Sequence, residues 1–179
     1  MVSRATPRGE GRLPASAPAA VKAFPSGSEE AELYAIAANL LGGLEVPAAE
    51  IRGPHDIHEA LLKGLPGSAL TTLLGSFRVL PRSGKRLEVA MGVSLRTIQR
   101  KKGDTAKRLS VEQAGRTWIF AEMLARATKI LGSQEAAERW LERPAIGLDR
   151  KSPIDLLATP AGTRMVDDYL TRIEYGVYT

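Results

Sequence analysis

Residues 85–102 read KRLEVAMGVSLRTIQRKK, and the spacing of apolar groups within them decides the fold. Leu87, Ala90 and Met91 recur at the three- and four-residue intervals of one helix face. Gly92 follows at once, where a left-handed backbone costs a glycine little, and Val93 is placed to fill the space beneath the turn. Ser94 offers a cap to a second helix, and Ile98 is that helix's buried anchor. Two short helices joined by a glycine turn make a helix-turn-helix. The pattern leaves Arg96, Thr97, Gln99, Arg100 and Lys101 on or near an exposed face. A recognition helix presents its N-terminal residues to base edges in the major groove, where Arg suits guanine and Gln adenine. Lys101, Lys102 and Lys107 suit phosphate contacts, which position without reading sequence. The candidate DNA-binding set is Ser94, Arg96, Thr97, Gln99, Arg100, Lys101 and Lys102. A purely structural hairpin with a wet basic face would leave the same pattern. Pro81 and Gly84 interrupt any helix upstream, so the first helix of the motif is expected to be short.

Charge concentrates around this stretch. From Arg78 to Arg108 ten basic side chains face two acidic ones, Glu88 and Asp104, a net +8. The whole chain carries +5, so the remainder is net −3. A local positive field of this size favours a polyanion, because neutralised phosphates release condensed counterions. An ordinary solvated charged face is the competing explanation.

Working outward, every further periodic segment reads as a helix. EEAELYAIAANLL, residues 29–41, has Ser28 as a candidate cap and Gly42-Gly43 as its stop. A short helix is expected after Pro54. Another is expected in GSALTTLLGSF, with Ser68 as a candidate cap and Leu70, Leu73 and Leu74 on one face. VEQAGRTWIFAEMLARATKILG is the longest helical pattern; Ile119, Met123 and Ile130 repeat at helical spacing, and Gly132 should end it. Ser133 caps the next segment, which Pro144 stops. Ser152-Pro153 and Thr159-Pro160 each place Pro at the tolerated first helical position. In the last helix Val166, Tyr169, Leu170 and Ile173 form one stripe, and Gly176 stands where a C-terminal cap belongs. No run alternates as a strand. The fold class is all-α: a helix-turn-helix N-terminal domain with a small helical C-terminal domain. Residues 1–28, rich in Pro, Ala, Gly, Ser and Arg without periodicity, read as a disordered tail. Residues 29–115 read as the helix-turn-helix domain and residues 116–179 as the second domain.

Composition narrows the functional classes. The 179 residues are 44% hydrophobic and 25% charged, a globular profile. The absence of cysteine excludes disulfides and thiolate metal sites. No apolar run reaches the length of a membrane span, and the N-terminus lacks a signal-peptide pattern, so a cytoplasmic protein without membrane contact is expected. No cysteine nucleophile, glycine-rich phosphate loop or zincin pattern is present, and no enzyme activity or cofactor is expected. His55 and His58, with Asp56 and Glu59 nearby, could meet a metal on one helix face. Two histidines near a helix start are more often surface residues, and no metal is expected.

The C-terminal motifs carry a resemblance. Ala137, Trp140, Leu141 and Pro144 form A-x-x-W-L-x-x-P. SPIDLLATPAG and RIEYGV follow, and KGLPGSAL, GVSLRTIQRKK and Leu109-Ser110 precede in the same order. From about Ile51 onward the chain resembles the Xre/MbcA/ParS antitoxins. The resemblance implies a homodimer with an Xre-type helix-turn-helix and a C-terminal toxin-binding domain. It implies a RES-domain toxin as partner, an enzyme that depletes NAD and whose NAD pocket the antitoxin blocks. It also implies repression of the antitoxin's own operon through operator double-stranded DNA. A stand-alone helix-turn-helix transcriptional regulator is the alternative.

Individual C-terminal residues can also be read physically. Trp140, beside Ala136, Ala137 and Leu141, is expected to pack in the core. Asp155 is expected to cap its helix. Arg172, Glu174, Tyr175, Gly176, Val177 and Tyr178 lie at or past the end of the last amphipathic stretch, where little core remains to fill. Aromatics at a chain end with a glycine hinge suit insertion into a partner, and these six are the candidate toxin-binding set. A frayed terminus is the plain alternative.

Overall fold

Several helices begin at a side-chain cap or a proline, and two end directly on a left-handed glycine. The computed structural model describes residues 27–43, 51, 53–82, 84–94 and 108–176. Its helices are α1 (Gly27–Leu40), α2 (Pro54–Leu62), α3 (Gly67–Ser76), α4 (Lys85–Met91), α5 (Val111–Leu131), α6 (Gln134–Glu142), α7 (Pro153–Leu156) and α8 (Pro160–Glu174), with a 3-10 turn at Ile146–Leu148. Among the described residues there is no strand, and the expected all-α class holds. Of the expected tail, residues 1–26 lie outside the described residues.

α5 is the axis. Ser110 and Gln113 form a reciprocal capping box at its start: the Gln113 amide donates to Ser110 Oγ at 3.2 Å and the Ser110 amide to Gln113 Oε1 at 3.4 Å. Nine of its side chains are buried, from Ala114 to Ala127, among them Trp118, Phe120 and Leu124. Buried side chains fall on more than one side of the helix, and α5 accordingly packs against α1, α2, α4, α6 and α8. Ile119 and Ile130, expected on its buried face, are only partly buried at the margin of the core. Aromatic pairs lock its neighbours: Tyr34 of α1 lies 6.1 Å from Trp118 and Phe77 lies 5.8 Å from Phe120, centroid to centroid. The position 115/116, read as a boundary between domains, falls inside this helix.

Most starts and stops follow the sequence, with three corrections. Ser133 caps α6 through its hydroxyl, as expected, Thr159 caps α8 in the same way, and Gly132 ends α5 in the left-handed conformation. α1 begins at Gly27, so Ser28 lies within its first turn instead of preceding it. Ser68 does not cap α3. The cap position is Pro66, without a side-chain bond, and Ser68 sits in the first turn, its carbonyl accepting from Thr71 Oγ1 at 2.8 Å. Asp155 does not cap α7. Its carboxylate turns to Arg86, where a cationic fork offers a stronger, bidentate partner than a four-residue helix end.

Candidate functional site

α4 and the turn that follows it are built as the sequence implies. α4 has only seven residues, consistent with its upstream Pro81. Leu87, Ala90, Met91 and Val93 are buried. Gly92 adopts φ +64, and a Cβ there would lie 2.8 Å from Arg116 Nη1, so both conformation and space demand glycine. Arg116 explains the crowding. Its guanidinium donates to the carbonyls of Val89, Ala90 and Ala158, binding the C-terminal end of α4 to α5 and to the α7–α8 connection. Arg86 on α4 adds a fork to Asp155, with Nε to Oδ1 at 2.7 Å and Nη2 to Oδ2 at 2.9 Å. Ser94 is exposed at the end of this stretch. Arg96, Thr97, Gln99, Arg100, Lys101 and Lys102 lie outside the described residues.

The C-terminal candidates gather around the end of α8. Arg126 of α5 holds that helix: its guanidinium pairs with Asp167, donates to Thr171 Oγ1 at 2.8 Å, and lies 3.5 Å from Glu174 Oε2. Glu174 is thus tied back to the fold at an exposed position. Arg172 lies over the Tyr169 ring, 5.5 Å from its centroid. Tyr175 is 59% exposed, and Gly176 follows at φ +66. Val177 and Tyr178 lie outside the described residues. Trp140, expected in the core, is only partly buried; it packs at the core's edge and stacks on Tyr169 at 6.4 Å and 16°.

Two carboxylates were not legible as special in the sequence. Glu138 of α6 has no exposed surface. It accepts hydrogen bonds from the successive amides of Arg78, Val79 and Leu80 at 2.6–3.0 Å and from Gln134 Nε2 at 2.7 Å. Burial pushes its pKa up, the three amides and Gln134 pull it down, and the net result lies below the usual carboxylate range. Its only signal is helical spacing, since it falls on the same stripe as Ala137 and Leu141. Glu122 of α5 accepts from Trp118 Nε1 at 2.9 Å. Burial outweighs that bond and, with Asp167 and Glu30 nearby, raises its pKa to about 7. Among the described residues no group of three or more His, Asp or Glu side chains could hold a metal ion, around His55 and His58 or elsewhere. No helix there is long and apolar enough to cross a membrane.

Residues 126–176 match the antitoxin Xre/MbcA/ParS C-terminal toxin-binding domain. That segment runs from Arg126 to Gly176 and so contains all of α6, α7 and α8. The chain is also similar to proteins named Antitoxin Xre. One from Pseudomonas putida is 25% identical over 78% of this chain and 82% of its own length. One from Yersinia enterocolitica is 28% identical over 65% of this chain and 87% of its own, and one from Photorhabdus laumondii is 27% identical over 70% and 82%. Residues 126–176 thus carry the toxin-binding segment of the Xre/MbcA/ParS antitoxins, and the longer similarity to proteins named Antitoxin Xre supports an antitoxin role in a toxin–antitoxin pair.

Proposed function

We propose that this antitoxin binds a RES-type, NAD-depleting toxin through its C-terminal domain, blocks the toxin's active site, and represses its own operon by binding operator DNA as a homodimer. The observation that carries the toxin half is the match of residues 126–176 to a toxin-binding domain whose last helix is followed by the exposed Tyr175. Arg172, Glu174, Tyr175, Gly176, Val177 and Tyr178 are the residues assigned to the toxin. RES chemistry is inferred from the family resemblance. The DNA half rests on the Gly92 turn and the +8 charge between Arg78 and Arg108, with Ser94, Arg96, Thr97, Gln99, Arg100, Lys101 and Lys102 as the reading face. In this scheme residues 29–115 serve DNA and residues 116–179 serve the toxin, with α5 shared physically by both. Operator DNA and an NAD-consuming toxin both place the work in the cytoplasm.

Co-expression with the adjacent open reading frame tests the proposal. The neighbour alone should be toxic and lower cellular NAD, and this chain should bind and silence it. Removing residues 175–179 should weaken protection; undiminished protection would remove the tail from the toxin interface. A gel shift on the upstream DNA should show binding that falls steeply with salt. DNA binding without any toxic or bound neighbour would favour the stand-alone regulator.

A further inference from the structure

Ile146 is 88% exposed, more than any other large apolar side chain among the described residues. The loop that carries it is held from several sides. The Ala145 amide donates to the Lys151 carbonyl at 3.1 Å, and the amides of Leu148 and Arg150 return to the Ala145 carbonyl at 3.1 and 2.9 Å. Leu148, two residues on, is buried. Gly147 lies against Tyr169 so closely that a Cβ would come within 2.4 Å of the ring's Cε2. Trp140 stacks on Tyr169, and Arg172 lies over it. Asp149 and Arg150 both adopt left-handed backbone, at φ 51 and 59, a conformation non-glycine residues seldom take in succession. These features fix an isoleucine side chain in water, where it gains nothing from burial.

A rigid apolar side chain loses little freedom on docking, which is what an interface anchor requires. Its surroundings state the chemistry of the partner. Arg143, Arg150 and Lys151 are exposed on the same loop, with the single carboxylate of Asp149 among them. An apolar centre with a basic rim fits an apolar pocket rimmed by carboxylates. The loop lies inside residues 126–176, the toxin-binding segment, and touches the helix that ends in the candidate tail.

We propose that Ile146 is a preformed anchor that inserts into an acid-rimmed apolar pocket of the toxin, a second contact point beside the C-terminal tail. This rests on the toxin-binding reading above. Ile146→Asp should leave the thermal melt of the free antitoxin unchanged, because the side chain packs on nothing. It should weaken binding to the toxin encoded beside this chain by about tenfold or more, mainly through faster dissociation. Ile146→Val should bind nearly as the parent does. Lys151→Glu should slow association, and the effect should shrink as salt rises. Ile146→Asp binding within about twofold of the parent would overturn the anchor while leaving the toxin reading intact. An Ile146→Asp variant that changes the oligomeric state of the free antitoxin, with toxin affinity held, would reassign the surface to a second copy and equally overturn it. A parent chain that binds no toxin would sink both readings together.

Discussion

Replacing Glu138 with alanine should unfasten the connection between α3 and α4 from α6. The carboxylate accepts from the consecutive amides of Arg78, Val79 and Leu80, and Leu80 is itself buried. Each hydrogen bond to a charged group is worth about 1.5–3 kcal/mol. The three do not add in full, because the amides of Arg78 and Val79 are only part-buried and regain water once the carboxylate is gone. The Leu80 amide would be left without an acceptor, at about 1–3 kcal/mol. The expected loss is therefore about 3–5 kcal/mol, a large share of the ~5–15 kcal/mol typical of a domain. For a chain of this size that lowers Tm by roughly 6–20 °C. Urea denaturation and calorimetry measure it, and Glu138→Gln should fall in between, keeping one acceptor oxygen. pH supplies an independent check. The folded pKa is depressed, so the stabilisation is complete above the unfolded carboxylate pKa near ~4.3 and is lost as pH falls through the lower folded value. Glu138→Gln should lose that acid-side slope. An alanine variant within about 1 kcal/mol of the parent, with its acid slope intact, would refute the assignment.

Further outcomes follow from other contacts. Glu122, raised to about 7 from 4.5 mainly by burial, favours the fold most below pH 4.5, and that contribution disappears as pH rises through 7. Glu122→Gln should make stability nearly flat across this window and raise it above pH 7 by up to about 3 kcal/mol, as read from urea midpoints at pH 5 and 8. Gly147→Ala drives a methyl into the Tyr169 ring and should cost about 1–3 kcal/mol, with altered near-ultraviolet circular dichroism from the displaced Trp140–Tyr169 stack. Asp155→Asn breaks a half-exposed ion pair with Arg86; urea denaturation should register less than about 1 kcal/mol.

What the sequence disclosed follows a physical division. Apolar periodicity and end signals are local, so the helices, the short α4, the left-handed Gly92 and the cap at Ser133 could be read from spacing. Long-range pairing is not local. Nothing in EAAERWLE says that Glu138 will meet amides some 60 positions away, and nothing in SPIDLL says that Asp155 will prefer Arg86 to its own helix end. At Asp155 a tertiary partner offering a charged, bidentate contact overrode local capping. The candidate tail residues could be singled out because the apolar stripe of α8 runs out before them. Ile146 could not, because an isolated isoleucine between Pro144 and Gly147 looks the same buried or exposed. Its exposure depends on how Tyr169 and Leu148 fill the space behind it.

α5 has a consequence for how the chain comes apart. Its 21 residues make a rod about 31 Å long. Tyr34 grips it through Trp118 on the N-terminal side, and Asp167 and Thr171 grip it through Arg126 on the other. No hinge interrupts it, and both halves of the core pack against it. Denaturation should therefore be cooperative, with one transition in place of two. A protease that opens either half should therefore expose the other, and limited proteolysis should yield no stable half-chain fragment.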